Sequence, residues 1–183
     1  MEILLINGSP RKDGHTAAAL SVVERRLKEH GFRTNLFQIG NQPVRGCLSC
    51  GCRGTNRCVF EDDGCVRLTE EILAADGIVV GSPVYFAGPN GALCALLDRV
   101  FYSTCTRSQL FHGKPGAALV TCEWTGGTAA LDRLHRYFVP CQMPVIGSLD
   151  YPVITKKAIE NQEPHAIQIL ETLADNMAGL LKK

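Results

Sequence analysis

Five times along the chain a short strand-like run precedes a segment of helical periodicity, and this alternation restricts the fold more than any other feature. Residues 2–6, 77–81 and 117–121 are apolar runs that read as buried strands; residues 34–39 alternate, and 143–147 make a short fifth run. Helical stretches follow at 16–30, 66–75, 89–103, 125–138 and 158–181. In the first, Leu20, Val23 and Leu27 recur at three- and four-residue spacing, and His30-Gly31 closes it. In the last, Ile159, Ile167, Leu170, Leu173, Met177 and Leu180 form the apolar stripe. Pro83 cannot donate to a ladder, so 82–86 reads as a loop, and Pro144 puts the fifth strand at an edge. The pattern predicts an α/β fold, a parallel sheet covered by helices on both faces with right-handed crossovers. With no repeat or linker, residues 1–183 read as one domain carrying a cysteine-rich loop insertion at about 40–64.

Ligands of such sheets sit beyond the C-terminal strand ends, where the strand order reverses. Three loops fall on that edge. The first, Asn7-Gly8-Ser9-Pro10-Arg11-Lys12-Asp13-Gly14-His15-Thr16, joins a buried strand to a helix start. Its backbone N–H groups and the helix dipole favour an anion, Ser9 and Thr16 add hydroxyl donors, and Arg11 adds a charged fork. This suits a phosphate monoester. The second loop, from Gly81 through Pro83, Val84, Tyr85 and Phe86 to Asn90, offers aromatic faces and backbone groups for a flat heterocycle. The third, Glu123-Trp124-Thr125-Gly126-Gly127, has glycines that permit close backbone approach. Packing beneath a helix for the second loop, and a plain helix-start turn for the third, are the competing readings.

The net charge of +1 gives no global footprint for nucleic acid or an anionic membrane. No apolar run approaches the ~20 residues that cross a bilayer. Cytoplasmic residence is the expectation. Nine cysteines, an odd number, argue against a disulfide framework. Cys47, Cys50, Cys52 and Cys58 fall close together, with Cys65 following, and thiolates so spaced suit a zinc site, an iron–sulfur cluster or a set of reduced thiols. Cys94, Cys105, Cys122 and Cys141 lie in apolar elements and read as small buried hydrophobes. The Cys47 to Arg53 spacing matches that of cysteine-dependent phosphatases, but no strand leads into it and no helix follows to activate the thiol.

Gly8-Ser9-Pro10-Arg11 with Thr16, Gly81-Ser82-Pro83-Val84-Tyr85-Phe86, Leu96-Leu97-Asp98-Arg99, and Gly46-Cys47-Leu48-Ser49-Cys50 through Cys58-Val59-Phe60-Glu61-Asp62-Asp63 stand in an order that spans nearly the whole chain. Together they resemble the flavodoxin-fold NAD(P)H-dependent FMN reductases and, within them, the iron–sulfur flavoproteins. The resemblance implies a flavodoxin-like three-layer sandwich with a five-stranded parallel sheet in the order 2-1-3-4-5. It implies FMN as cofactor, its phosphate held by Ser9, Arg11, Gly14, His15 and Thr16. Pro83, Val84, Tyr85 and Phe86 would line the isoalloxazine, with Asn90, Gly126 and Gly127 as further cofactor-binding candidates. For His15 the alternatives are a phosphate contact, which is favoured, and a helix cap. Asp98 and Arg99 read as structural ties.

The implied activity is transfer of electrons from NAD(P)H through the flavin to a quinone, free flavin, metal ion, nitro-compound or protein. No side chain serves as general acid or base, and the assembly is a homodimer or homotetramer. The family's cluster ligands would map to Cys47, Cys50, Cys52 and Cys58 as a [4Fe–4S] site, although only Gly51 separates the second and third cysteines here. A non-catalytic flavin electron carrier and a cysteine-loop metal or redox module are the rival functions.

Overall fold

The computed structural model describes residues 1–53, 55, 57–104 and 110–183. In chain order it runs β1 (Glu2–Asn7), α1 (His15–Glu29), β2 (Arg33–Gln38), α2 (Cys65–Ala74), β3 (Gly77–Tyr85), β4 (Gly88–Pro89), α3 (Gly91–Thr104), β5 (Gly116–Cys122), α4 (Gly127–Phe138), a single 3-10 turn, β6 (Val145–Ile146), β7 (Val153–Thr155), α5 (Lys156–Glu160) and α6 (Pro164–Leu181). The strands pair in parallel in the order β2-β1-β3-β5, and the next position is shared by β6 and β7. β6 lies beside the start of β5 and β7 beside its end. The flavodoxin-like architecture therefore holds, but among the described residues the sheet has seven strands where five were expected. The added ones are β7 and β4, which makes a small antiparallel hairpin with β3.

Side chains alternate across the sheet, as the strand period of two requires. Leu4, Ile6, Ile78, Val80, Ala118 and Val120 point into the core under α2, α3 and α4. Ile3, Leu5, Val79, Ala117 and Leu119 point into the core under α1, α5 and α6. The central strands are buried on both faces, which is why they read as continuous apolar runs.

Two boundary expectations fail for identifiable reasons. Residues 82–85 continue β3, with Ser82 and Pro83 paired to Val120 and Thr121. β1 stops pairing at Asn7, opposite Gly81, so past that point β3 has a neighbour on one side only and a proline is tolerated as on an edge. The expected 158–181 helix is two helices, because Pro164 lacks an N–H and disfavours helical backbone in the residue before it. Gly31 does close α1: its N–H bonds to Lys28 and that of Phe32 to Leu27, the paired bonds of a Schellman end.

Candidate functional site

The loop after β1 is built by side chains that satisfy its own backbone. Buried Asn7 accepts the Ser9 N–H at 3.0 Å, and Ser9 Oγ accepts the Arg11 N–H at 3.2 Å, two successive polar turns that curl the chain. Gln38, at the end of β2, accepts from Asn7 Nδ2 at 2.7 Å and donates to the Ser9 carbonyl at 2.6 Å. From the other side Asn90 Nδ2 donates to the Gly8 carbonyl at 2.7 Å. Gly8 must be glycine: a Cβ there would lie 2.4 Å from Leu93 Cδ2 and 2.8 Å from the Gly81 carbonyl. The loop is thus fixed before any ligand arrives.

α1 begins at His15 with Gly14 as its cap residue, which supplies no side-chain hydrogen bond, and its first turn holds no acid. The positive end of the helix is left for an external anion. Around it opens a cleft of about 240 Å³ lined by Ser9, Arg11, Gly14, His15, Thr16, Pro83, Val84, Tyr85, Thr121, Cys122, Glu123 and Lys156. The donor set of hydroxyl, guanidinium, ammonium and uncapped backbone N–H groups fits a phosphate monoester, and so fits the phosphate end of FMN.

Eight of the sequence-predicted cofactor residues meet in this cleft: Ser9, Arg11, Gly14, His15, Thr16, Pro83, Val84 and Tyr85. Four do not line it. Phe86 sits at the tip of the β3–β4 hairpin, fully exposed, with φ +47°. Asn90 lies behind the first loop, where Oδ1 accepts the Ala92 N–H at the start of α3. Gly126 and Gly127 pack against neighbouring backbone and side chains: a Cβ on Gly126 would meet Ala87 at 2.7 Å, and one on Gly127 would meet Val153 at 2.1 Å. His15 Nε2 pairs with Glu160 at 2.8 Å, so α5 braces that edge of the cleft. Thr16 Oγ1 bonds to Thr121 Oγ1 at 2.7 Å.

Sequence reasoning missed Thr121, Cys122 and Lys156, and named Glu123 only as part of the third loop. Thr121 and Cys122 end β5 and Glu123 follows it, all in the same row of strand ends, a signal that was available. Lys156 is carried in by β7 and had no local signal.

The cysteine loop is pinned by charge. Arg99, 1% exposed on its side chain, donates to Asp63 Oδ2 at 2.7 Å and to Cys58 Sγ at 3.7 Å. Asp63 also accepts the Arg45 N–H at 3.1 Å, and the Arg45 and Arg99 guanidinium groups lie 4.8 and 5.7 Å from the Phe60 ring centre. Burial works to raise the Asp63 pKa, but Arg99 and the backbone N–H groups of Arg45 and Cys65 outweigh it and hold the carboxyl below its ordinary value. Arg99 therefore ties α3 to the loop, while Asp98 ties α3 to α4 through Arg133 at 2.8 Å and Tyr137 at 2.6 Å.

Of the loop thiols, Cys47 and Cys50 are exposed and Cys52, Cys58 and Cys65 are buried. Burial pushes the Cys52 thiol up to about 11 and the Cys65 thiol up to about 12. Among the described residues no three or more histidine, cysteine, aspartate or glutamate side chains form a group able to hold a metal ion. No helix follows Cys47 until α2, so the phosphatase arrangement is absent from the described loop as well. Cys122 is buried as expected and Cys94 is half-buried; Cys141 is buried but disulfide-bonded, not the free apolar thiol that was expected, and Cys105 lies outside the described residues. No described helix is long and apolar enough to cross a membrane.

The comparisons with known proteins agree with this geometry. An iron–sulfur flavoprotein of Methanocaldococcus jannaschii is 30% identical over 154 residues, 82% of this chain and 78% of that one. Among solved structures, RosB with bound 8-demethyl-8-formylriboflavin-5′-phosphate superposes with a TM-score of 0.80 at 12% identity, covering all of this chain and 79% of its own. A flavodoxin from the domain Archaea superposes with a TM-score of 0.67 at 16% identity, covering both chains fully. At such identities the two structures speak for the fold alone. The NADPH-dependent FMN reductase family matches residues 1–157, a span that takes in every strand and the whole cleft lining. On that match the chain belongs to the NADPH-dependent FMN reductase family and is an FMN-using, NAD(P)H-dependent flavoprotein oxidoreductase.

Proposed function

We propose that the chain passes electrons from NAD(P)H to a flat aromatic acceptor, a quinone or a free flavin, at the cleft beside β1, β3 and β5. The observation that carries this reading is the polarity of the cleft. Arg11, Lys156, the hydroxyls of Ser9 and Thr16 and the N-terminus of α1 share the lining with the apolar Pro83 and Val84 and the aromatic Tyr85, and Phe86 and Trp124 are exposed on the loops that follow β3 and β5. Bound FMN supplies hydride acceptance and onward electron transfer. The chain's own groups position it. Ser9, Arg11, His15, Thr16 and Lys156 take the phosphate, and Pro83, Val84 and Tyr85 take the ring system. Asn7, Gln38 and Asn90 act from behind, by holding the phosphate loop in shape. Tyr85, Phe86, Trp124 and Tyr151 are exposed aromatic side chains, and a second copy of the chain covers them in a homodimer or homotetramer. The setting is the cytoplasm, where NAD(P)H is supplied.

The test has two steps. Flavin fluorescence is titrated with the protein, and tight FMN binding with much weaker riboflavin binding is expected. The FMN-loaded protein is then given NADH or NADPH and a quinone in steady state. Multiple turnovers support the reading. FMN binding without turnover assigns the chain to the electron carriers instead, and no FMN binding removes the cleft assignment.

A further inference from the structure

On the reading that the cleft takes FMN by its phosphate, we propose that Glu160 is a positioning residue for that phosphate: it holds the His15 ring so that phosphate binding takes up a proton on Nδ1. His15 is the first residue of α1 and lines the cleft. Its Nε2 lies 2.8 Å from Glu160 Oε1. A carboxylate only accepts hydrogen bonds, so Nε2 carries the proton and donates it. The ring nitrogen left for a ligand of the cleft is Nδ1. In the neutral ring Nδ1 is a bare lone pair, and in the protonated ring it is a second N–H donor. The oxygens of a phosphate dianion also only accept. A phosphate beside His15 therefore selects the doubly protonated ring, which stands between two anions and donates to both.

The fold brings Glu160 to this place. β7 pairs with the end of β5, Thr155 opposite Cys122, so α5 starts at the cleft. Thr155 Oγ1 caps α5 by accepting the Ala158 N–H at 3.1 Å, and buried Ala158 and Ile159 seat the short helix in the core. Lys156 and Glu160 stand four residues apart and share a face of α5. Lys156 lines the cleft, and Glu160 meets the ring of His15. The other titratable groups of the lining are Arg11 from the first loop, Tyr85 from β3, Cys122 at the end of β5 and Glu123 just after it. Burial pushes the Cys122 thiol up, so it keeps its proton near neutral pH. Lys12 and Asp13 of the first loop and Lys157 of α5 are exposed. The acids of α6 that meet α1 do so towards its other end, Glu171 at Arg25 and Asp175 at Arg26 and His30.

The step balances as one proton transfer. A proton from water adds to the Nδ1 lone pair, the ring goes from neutral to a single positive charge, and no bond to phosphorus forms or breaks. FMN and this proton favour each other's binding by the same factor, because coupling between two ligands is reciprocal. FMN affinity therefore rises as pH falls and declines as pH rises, by at most about tenfold per unit. Riboflavin has no phosphate and carries no such dependence. Glutamine in place of Glu160 reverses the requirement. Its amide donates to Nε2, the single proton of the neutral ring moves to Nδ1, and the phosphate meets a donor with no proton taken up.

The experiment is calorimetric titration of the full chain, freed of flavin, with FMN and with riboflavin at about pH 8, in two buffers of different ionisation enthalpy. That pH lies above the range in which imidazoles ordinarily titrate and above the second ionisation of a phosphate monoester, near about 6. The difference in heat between the buffers then reads the proton taken up by the protein. Wild type is expected to take up a proton with FMN and none with riboflavin, and its FMN affinity is expected to fall from about pH 7 to about pH 9. His15→Asn is expected to abolish the uptake. Glu160→Gln is expected to bind FMN without uptake and with an affinity that no longer changes across that range. Glu160→Ala, which frees the ring, is expected to weaken FMN about 2- to 10-fold near pH 7. Uptake that persists in His15→Asn, or that is equal in Glu160→Gln and wild type, overturns the inference. So does a wild-type FMN affinity that is flat across the range, which decides the matter even if a variant fails to fold. FMN binding without proton uptake removes this inference alone, whereas no FMN binding removes the cleft assignment on which it stands.

Discussion

Replacing Arg99 by methionine tests whether a buried charge pair fastens the cysteine loop to the domain. The methionine keeps most of the apolar stem but removes the guanidinium that bonds to Asp63 and touches Cys58. The Asp63 side chain, 5% exposed, is then a buried carboxylate without a counter-ion, and its Oδ1 already has no partner. Breaking one side of a buried pair costs about 3–5 kcal/mol. Asp63 keeps the backbone N–H groups of Arg45 and Cys65, which places the expected cost near about 3 kcal/mol. For a chain of this size that is a fall in melting temperature of about 6–12 °C.

The double variant Asp63→Asn with Arg99→Met removes both charges and leaves an oxygen for the backbone donors. It is expected within about 1 kcal/mol of wild type, so the double-mutant cycle returns a coupling of about 2 kcal/mol or more. Urea unfolding of all four proteins measures it. The sign with pH follows from the depressed Asp63 pKa. An unfolded carboxyl titrates near about 3.9, so the pair stabilises fully above that value and its contribution is lost as pH falls through the lower folded value. The wild type and Arg99→Met curves are therefore expected to converge below about pH 4. A single-variant cost below about 1 kcal/mol, or a double variant as unstable as the sum of the singles, refutes the reasoning.

Arg11→Ala removes the guanidinium at the phosphate loop and is expected to weaken FMN binding by about 1.5–3 kcal/mol, or about 10- to 150-fold, with riboflavin binding unchanged in fluorescence titration. Lys156→Ala is expected to weaken FMN by a smaller factor that shrinks further as salt is raised, because an exposed ammonium acts through screened charge. Thr121→Val strips the partner from buried Thr16 and is expected to cost about 1–2 kcal/mol in chemical denaturation while keeping the side-chain shape. Gly127→Ala drives a methyl to 2.1 Å from Val153 Cγ1 and is expected to cost about 1–3 kcal/mol, with Val153→Ala in the same chain restoring part of the loss in a thermal melt.

The legible parts of this fold were those whose signal is local. β1, β3 and β5 are sandwiched between helix layers, so their central residues are apolar on both faces and the runs stand out. α1 announced its end through His30-Gly31. The phosphate loop was legible because a strand, a glycine, hydroxyls and a helix start occur in ten consecutive residues. β7 was not, because three residues after a proline carry no usable period. Lys156 was invisible for the same reason: only the pairing of Val153–Thr155 with β5 brings it to the cleft. The part Asn90 plays in holding the first loop was not legible, since a side chain that bonds the Gly8 carbonyl 82 positions away leaves no trace in its own neighbourhood. The cysteine spacing suggested a metal, and spacing alone could not show that Arg99 contacts Cys58.

The last position of the sheet is filled by two fragments, Val145–Ile146 and Val153–Thr155, with intervening residues that leave the ladder. An uninterrupted border would present a long row of unsatisfied amides on which another polypeptide could template itself. Here the row is cut into pieces of two and three residues, too short to seed such stacking. The same interruption that brings a lysine to the nucleotide end of the molecule also makes its flank resistant to fibrillar growth.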